Sequence, residues 1–195
     1  MQVPVSSLRL LTLAIALLIA AASSPGLAGA QAAAPAALRD GRHDFDFEFG
    51  SWTVVLRRLA EPLTGSDRWV ECSGTSVVRE VWNGKANLGE LEVDCPGGAI
   101  QGLSFRLYQP ETRQWQIRWA SSRDGELGPP MIGGFDGSGR AEFYNQELFG
   151  GRAVYVRFIF SGIARDTFRF EQAFSADGGQ SWETNWIASF TRSSP

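Results

Sequence analysis

The fold is decided by the stretch RAVYVRFIFSGIARDTFRFEQAF, which covers residues 152–174. Its first half has an apolar side chain at every second position from Val154 to Phe160. Its second half continues this pattern from Phe168 to Phe174, with one glutamine at an apolar position. A repeat of two residues is typical of a β-strand that buries one face, whereas a helix repeats every 3.6 residues. The stretch therefore predicts two strands joined by a short turn.

The same alternation of apolar and polar residues continues in both directions, from His43 to Arg192. Short alternating runs are separated by turn residues, and no segment has helical periodicity over three turns. Strands with one apolar face bury it by closing the sheet or by stacking two sheets, and closure also removes exposed edges. We predict an all-β fold, a single antiparallel up-and-down barrel of about ten strands. The runs lie at residues 52–57, 69–73, 75–82 (parted from the previous run by Gly74), 88–95, 103–108, 115–119, 131–135, 141–148, 153–163, 168–174 and 182–192.

The first residues read as a targeting signal. Arg9 precedes an apolar stretch from Leu10 to Ala22, and Ala28-Gly29-Ala30 has the small-x-small pattern of a cleavage site. The apolar stretch is shorter than the roughly 20 residues that a membrane span needs. We expect a signal peptide at 1–30, a flexible Ala- and Pro-rich leader at 31–42, and a barrel domain at 43–195. The protein is then periplasmic or secreted, without a membrane span after signal cleavage.

The net charge and the cysteine and histidine content limit the ligands and partners that the sequence can bind. Removing Arg9 with the signal peptide makes the formal charge of −3 more negative, which argues against nucleic acid as a partner. Cys72 and Cys95 are the two cysteines, and in an exported chain they are expected to form one disulfide. The single histidine, His43, precedes the first strand, so we expect it in solvent rather than on haem. We predict no metal site and no cofactor.

A tryptophan and an arginine mark the two ends of the barrel sequence. Gly50-Ser51-Trp52 opens the first strand, and Arg192 closes the last. This combination resembles the structural signature of lipocalin-like, or calycin, β-barrels. The resemblance implies that Arg192 packs over Trp52 and helps to close the base of the barrel. We expect Gly50, Trp52 and Arg192 to serve this closure, with Trp186 beside them.

Three longer segments resemble a bacterial family of exported domains of unknown function. They are residues 43–52, residues 108–115 and residues 175–192, and the likeness covers nearly all of the chain from His43 to Arg192. This likeness implies a lipocalin-like barrel. It implies no particular activity and no catalytic residues.

Ser175-Ala-Asp-Gly-Gly-Gln-Ser-Trp182 matches the Asp-box pattern of sialidase propellers. The pattern acts locally, because the aspartate caps turn amides and the glycines take positive φ. A propeller repeats its hairpins blade after blade, and this chain has one copy. We therefore predict a stabilised β-hairpin without sialidase activity.

No set of residues in the sequence supports catalysis, since His43 alone cannot complete a Ser/His/Asp arrangement and no phosphate-binding loop is present. We expect a protein that is not an enzyme. Charged residues on the polar strand faces would form an anion site if they lay inside the barrel, although they more often lie in solvent. These are the arginines Arg106, Arg118, Arg157 and Arg169. The acidic residues Glu90, Glu92 and Asp94 are also expected in solvent.

Two functions fit a barrel rich in aromatic residues. In the first, the tryptophans Trp115, Trp119, Trp182 and Trp186 line a pocket for a small apolar ligand. In the alternative, the aromatic side chains fill the core, and the barrel acts through its surface as a binding or scaffolding module on a glycan or envelope protein. The sequence leaves the oligomeric state open.

Overall fold

The computed structural model describes residues 39–193 of the 195-residue chain. Each strand is antiparallel to its neighbour in sequence, and the first strand pairs with the last, so the sheet closes into an up-and-down barrel. The predicted all-β class and strand number are confirmed. The elements are a 3-10 helix at Asp46–Glu48 and strands β1 Gly50–Leu59, β2 Trp69–Val81, β3 Ala86–Asp94, β4 Ile100–Gln109, β5 Gln114–Ser121, β6 Met131–Phe135, β7 Ala141–Phe149, β8 Arg152–Ser161, β9 Thr167–Ser175 and β10 Glu183–Arg192.

Alternation along the strands decides which side chains enter the core. In β1, Trp52, Val54 and Leu56 are fully buried inside the barrel, and the residues between them are exposed. Their partners across the ladder in β10 are Arg192, Phe190 and Ala188. The barrel interior is therefore built from one face of each strand, as the repeat of two predicts.

Strand β4 turns its polar face inward, in contrast to β1. Its inward positions include Gly102 and the buried Arg106, while Leu103 on the opposite face is 43% exposed. Gly102 lies beneath the indole of Trp119, and a Cβ at this position would come within 1.9 Å of the ring. Only glycine fits below this indole, which explains why no larger side chain stands at this inward position.

A disulfide joins the ends of β2 and β3. Cys72 and Cys95 are bonded, and their Cα atoms are 4.4 Å apart. The predicted pairing is confirmed. It follows from the ladder, in which Ser73 lies opposite Asp94, so that the two cysteines are one residue beyond the last pair.

Residues 41–49, which we call the plug, close one end of the barrel. Phe45 is completely buried, and its ring contacts the rings of Trp115, Phe143 and Phe160 at centroid distances of 5.0, 5.9 and 5.4 Å. Gly41 is also anchored, because its carbonyl oxygen accepts a 2.9 Å hydrogen bond from the Trp115 indole. Ordered contacts therefore begin inside the segment for which the sequence predicts a leader.

The predicted signal peptide at 1–30 lies outside the described residues, as does the leader up to residue 38. Across residues 39–193, no helix combines the length and the hydropathy that crossing a membrane requires.

Candidate functional site

Arg192 stacks on Trp52 at the plugged end. Its guanidinium carbon lies 4.1 Å from the centroid of the indole. Its two terminal nitrogens donate 2.8 Å hydrogen bonds to the carbonyl oxygens of Phe47 and Phe49 in the plug. Gly50 has a φ of +114°, and a Cβ there would lie 3.1 Å from Arg192 Nη1, so glycine is the residue that suits this position. Arg192 thus ties the last strand to the first strand and to the plug.

Trp186 is not part of this cluster. It lies opposite Arg58 in the β1–β10 ladder, near the other end of the strand from Arg192. The expectation that Trp186 sits beside Trp52 and Arg192 is wrong. All three side chains share the inner face of the barrel, but they lie at different depths along its axis.

The barrel interior holds a cavity of about 340 Å³. Its wall is mainly aromatic and aliphatic, with polar side chains concentrated at two places. Residues of the apolar wall include Val78, Leu91, Ile117, Trp119, Met131, Val156, Phe158, Phe160, Phe168, Phe170, Trp186, Ala188 and Phe190. These two polar groups are a buried ion pair at the plug and two acceptor side chains on β7.

Glu48 and Arg106 form an ion pair at the inner surface of the plug. Glu48 is 1% exposed, Arg106 is 6% exposed, and both border the cavity. Arg106 Nη1 also donates a 3.0 Å hydrogen bond to Asn87 Oδ1, and its guanidinium lies 4.8 Å from the centroid of Phe45. Burial raises the pKa of the Glu48 carboxyl, and the neighbouring guanidinium opposes that rise. The charges of the two side chains cancel when both are ionised.

Asn145 and Glu147 form the second polar place, two and four residues along β7 from the core residue Phe143. Both line the cavity, and Asn145 Oδ1 is buried without a hydrogen-bond partner. Burial raises the pKa of the Glu147 carboxyl, and a hydrogen bond from Asn145 partly offsets this. Nearby in the lining, Gln172 donates a 2.9 Å hydrogen bond to Asn185 Oδ1.

The structure separates the four tryptophans that the sequence analysis grouped. Trp119 and Trp186 line the cavity. Trp115 is 1% exposed and lies against Phe45 of the plug, outside the cavity lining. Trp182 lies in the β9–β10 connection, where the Arg157 guanidinium stacks 4.4 Å from its ring centroid.

Among the charged residues considered as an anion site, Arg106 points into the barrel and the rest do not line the cavity with their charged groups. Arg118 donates a 3.1 Å hydrogen bond to the carbonyl oxygen of Gly128, and Arg169 pairs with Glu171. Arg157 stacks on the indole described above. The acidic residues of β3 that were expected in solvent are exposed: Glu90, Glu92 and Asp94.

His43 lies in solvent beside the plug. Its side chain is 65% exposed, and Nδ1 is 2.9 Å from Asp46 Oδ2. Within residues 39–193, the structure contains no cluster of histidine, cysteine, aspartate and glutamate side chains that could hold a metal ion.

The Asp-box segment forms the β9–β10 hairpin turn. Asp177 accepts hydrogen bonds from the Ser181 backbone nitrogen at 3.0 Å and from the Ser181 and Ser175 hydroxyls at 2.6 and 2.7 Å. These bonds hold the pKa of Asp177 well below its usual range. Trp182 Nε1 donates to the carbonyl oxygen of Gly179 at 3.1 Å. The side-chain hydrogen bonds of Asp177 and Trp182 lie within the turn itself, and Arg152 adds a 3.4 Å hydrogen bond from β8 to the carbonyl oxygen of Ala176.

Comparison with solved structures places this barrel beside proteins of low sequence identity. It is similar to the S-type phycobiliprotein lyase CPES from Guillardia theta, with a TM-score of 0.55 and 12% identity over 80% of this chain and 94% of that one. It is also similar to EF1p2_mFAP2b bound to DFHBI, with a TM-score of 0.44 and 8% identity over 78% and 99% of the two chains. A de novo designed fluorescence-activating β-barrel gives a TM-score of 0.40 and 12% identity over 80% and 100% of the two chains.

No family model and no curated protein matches the sequence. At 12% identity, the likeness to the lyase establishes a shared barrel fold and nothing about activity. The chain is therefore an antiparallel β-barrel that shares its fold with the lyase from Guillardia theta.

Proposed function

We propose that this protein binds a small, mostly apolar ligand inside its barrel. The observation that carries the proposal is the cavity of about 340 Å³ with aromatic walls. Protein interiors are normally packed with few voids larger than a water molecule. A cavity of this size lies at the lower end of the range for small-molecule sites, about 300–1,000 Å³. The proposal involves binding only and includes no catalytic step.

Trp119 and Trp186 are the tryptophans that we assign to the ligand, because both border the cavity. Trp115 we assign to the attachment of the plug, and Trp182 to the β9–β10 turn. In the same proposal, Gly50, Trp52 and Arg192 close the base of the barrel and do not touch the ligand.

We further infer that the protein is exported and belongs to the bacterial family that its sequence resembles. The Cys72–Cys95 disulfide supports export, because disulfides persist in oxidising compartments. Residues 1–30 would direct export and be removed, and the mature barrel domain would act in the periplasm or outside the cell.

The test uses the uncharged probe 1-naphthalenemethanol, and isothermal titration measures its binding. Gly89→Leu fills the cavity from β3, where a Cβ would meet its nearest atoms at an ordinary 3.5 Å. We expect Gly89→Leu to weaken binding at least about tenfold, which corresponds to about 1.4 kcal/mol.

Ala153→Leu is the matched control, since Ala153 is exposed on β8 and the substitution adds volume outside the barrel. It should bind the probe as the parent protein does. A Gly89→Leu protein that melts at the parent temperature and binds with unchanged affinity would rule out the cavity as the site. Native mass spectrometry of the purified mature protein then identifies any co-purifying molecule that is lost on denaturation.

A further inference from the structure

We propose that the ligand is a hydrophobic amine whose positively charged nitrogen is held by Glu147 and Asn145, with its apolar body against the aromatic wall. This inference rests on the proposed function, because it specifies what occupies the same cavity.

The charge of the cavity is negative once its internal ion pair is removed from the count. Glu48 and Arg106 neutralise each other. Glu90 borders the cavity, but its carboxylate pairs with Arg79 on the outer face at 3.1 Å. Glu147 is in no ion pair within residues 39–193. Glu147 is partly exposed, and a carboxylate partly withdrawn from water beside an apolar wall gains when a cation joins it.

The acceptor atoms of Asn145 and Glu147 would also gain from a hydrogen-bond donor. Asn145 and Glu147 are two residues apart on the inner face of β7, so their side chains project in the same direction. Asn145 Oδ1 is buried without a partner, and Glu147 offers further carboxylate lone pairs. A protonated amine brings up to three N–H donors and no acceptor, which suits this pair. The raised pKa of Glu147 agrees with a site that gains from a bound cation.

The wall supplies the second requirement of such a ligand. Phe158, Phe170 and Trp186 belong to the same lining as Glu147. Aromatic rings bury the apolar part of such a molecule, and their faces attract organic cations that lie over them. An anionic ligand would meet the carboxylate of Glu147 and find no unpaired cation in the lining formed by residues 39–193, because the guanidinium of Arg106 already has Glu48 as its partner.

Three naphthalenes of the same shape test the inference at a mildly alkaline pH, which ionises Glu147. They are 1-naphthylmethylamine as the cation, 1-naphthalenemethanol as the uncharged compound and 1-naphthoate as the anion. Isothermal titration of the full mature protein is expected to rank them cation, uncharged, anion, with the cation at least about tenfold tighter than the alcohol. Glu147→Gln should remove this preference and leave the affinity for the alcohol within about twofold.

Glu142→Gln is the control, because Glu142 is on the outer face of the same strand and pairs with Arg140. It should keep the preference for the cation. Equal affinities of the amine and the alcohol in the parent protein would overturn the inference and leave the proposed function standing. Tighter binding of the naphthoate would overturn it as well and point to Arg106. No binding of any of the three would contradict both proposals.

Discussion

Arg192 connects three parts of the chain through one guanidinium. It covers the indole of Trp52, donates to two carbonyl oxygens of the plug, and lies opposite Trp52 in the ladder that closes the barrel. Hydrogen bonds from a charged donor contribute about 1.5–3 kcal/mol each, and a cation–π contact adds about 0.5–2 kcal/mol. The effects of these contacts are coupled, so they do not add fully.

Arg192→Ala is expected to destabilise the barrel by about 2 kcal/mol or more and to lower the melting temperature by roughly 5 °C or more. Differential scanning calorimetry measures the change. Arg165→Ala is the control, since the Arg165 side chain is exposed and only its backbone oxygen contacts Arg192. If both variants melt with the parent protein, the arginine does not secure the base of the barrel.

The β9–β10 hairpin carries its own stabilising centre in Asp177. Hydrogen bonds from Ser175 and Ser181 favour the ionised carboxylate and lower its pKa. A carboxyl group with a lowered pKa in the folded state stabilises the fold above its unfolded pKa of about 4 and loses that contribution as the pH falls further. The stabilisation is therefore present at neutral pH and absent in strong acid.

Asp177→Ala should lower the melting temperature at neutral pH, and the gap from the parent protein should narrow as the pH is brought below about 4. Melting curves collected over an acidic pH series check this. Asp67→Ala, at an exposed position, should melt with the parent protein throughout. A gap that stays constant with pH would show that the carboxylate charge is not what stabilises the turn.

Element by element, the sequence predicts which residues share a face but not how deep each lies. Alternation locates Trp115 and Trp119 on one face of β5, and both face inward, yet one contacts the plug and the other lines the cavity. Depth depends on the stagger of neighbouring strands, which the alternation does not encode. On β4, Gly102 lies beneath Trp119 of β5, a contact between two strands that neither strand reveals alone.

At the scale of the whole molecule, the strand number, closure and disulfide follow from the alternation and the two cysteines. The Glu48–Arg106 pair does not, because its members are far apart in sequence and meet only when the plug enters the barrel. Nothing in the sequence assigns the two residues to each other, and a polar strand face more often lies in solvent. The sequence does not single out Asn145 and Glu147 either, because polar residues on a strand more often lie in solvent.

The disulfide constrains the barrel as a whole by shortening the free chain of the unfolded state. Its cysteines are 23 residues apart, for which the chain-entropy model gives about 3 kcal/mol. Replacing both with alanine, Cys72→Ala and Cys95→Ala, should lower the free energy of unfolding by about that amount, as measured by urea denaturation. A reductant should destabilise the parent protein and leave the double variant unchanged. Equal midpoints for the oxidised parent and the double variant would contradict the expectation.

The hydrogen bonds from Arg192 to Phe47 and Phe49 have a consequence for the order of folding. Synthesis proceeds from the amino terminus, so the plug is made before any strand of the barrel. It can gain these bonds only after β10 has been made and has paired with β1. The plug can meet Arg106 and Trp115 on the fourth and fifth strands earlier, but its bonds to Arg192 wait for the last strand. The earliest part of the barrel domain to be synthesised is thus completed in its contacts by the latest part.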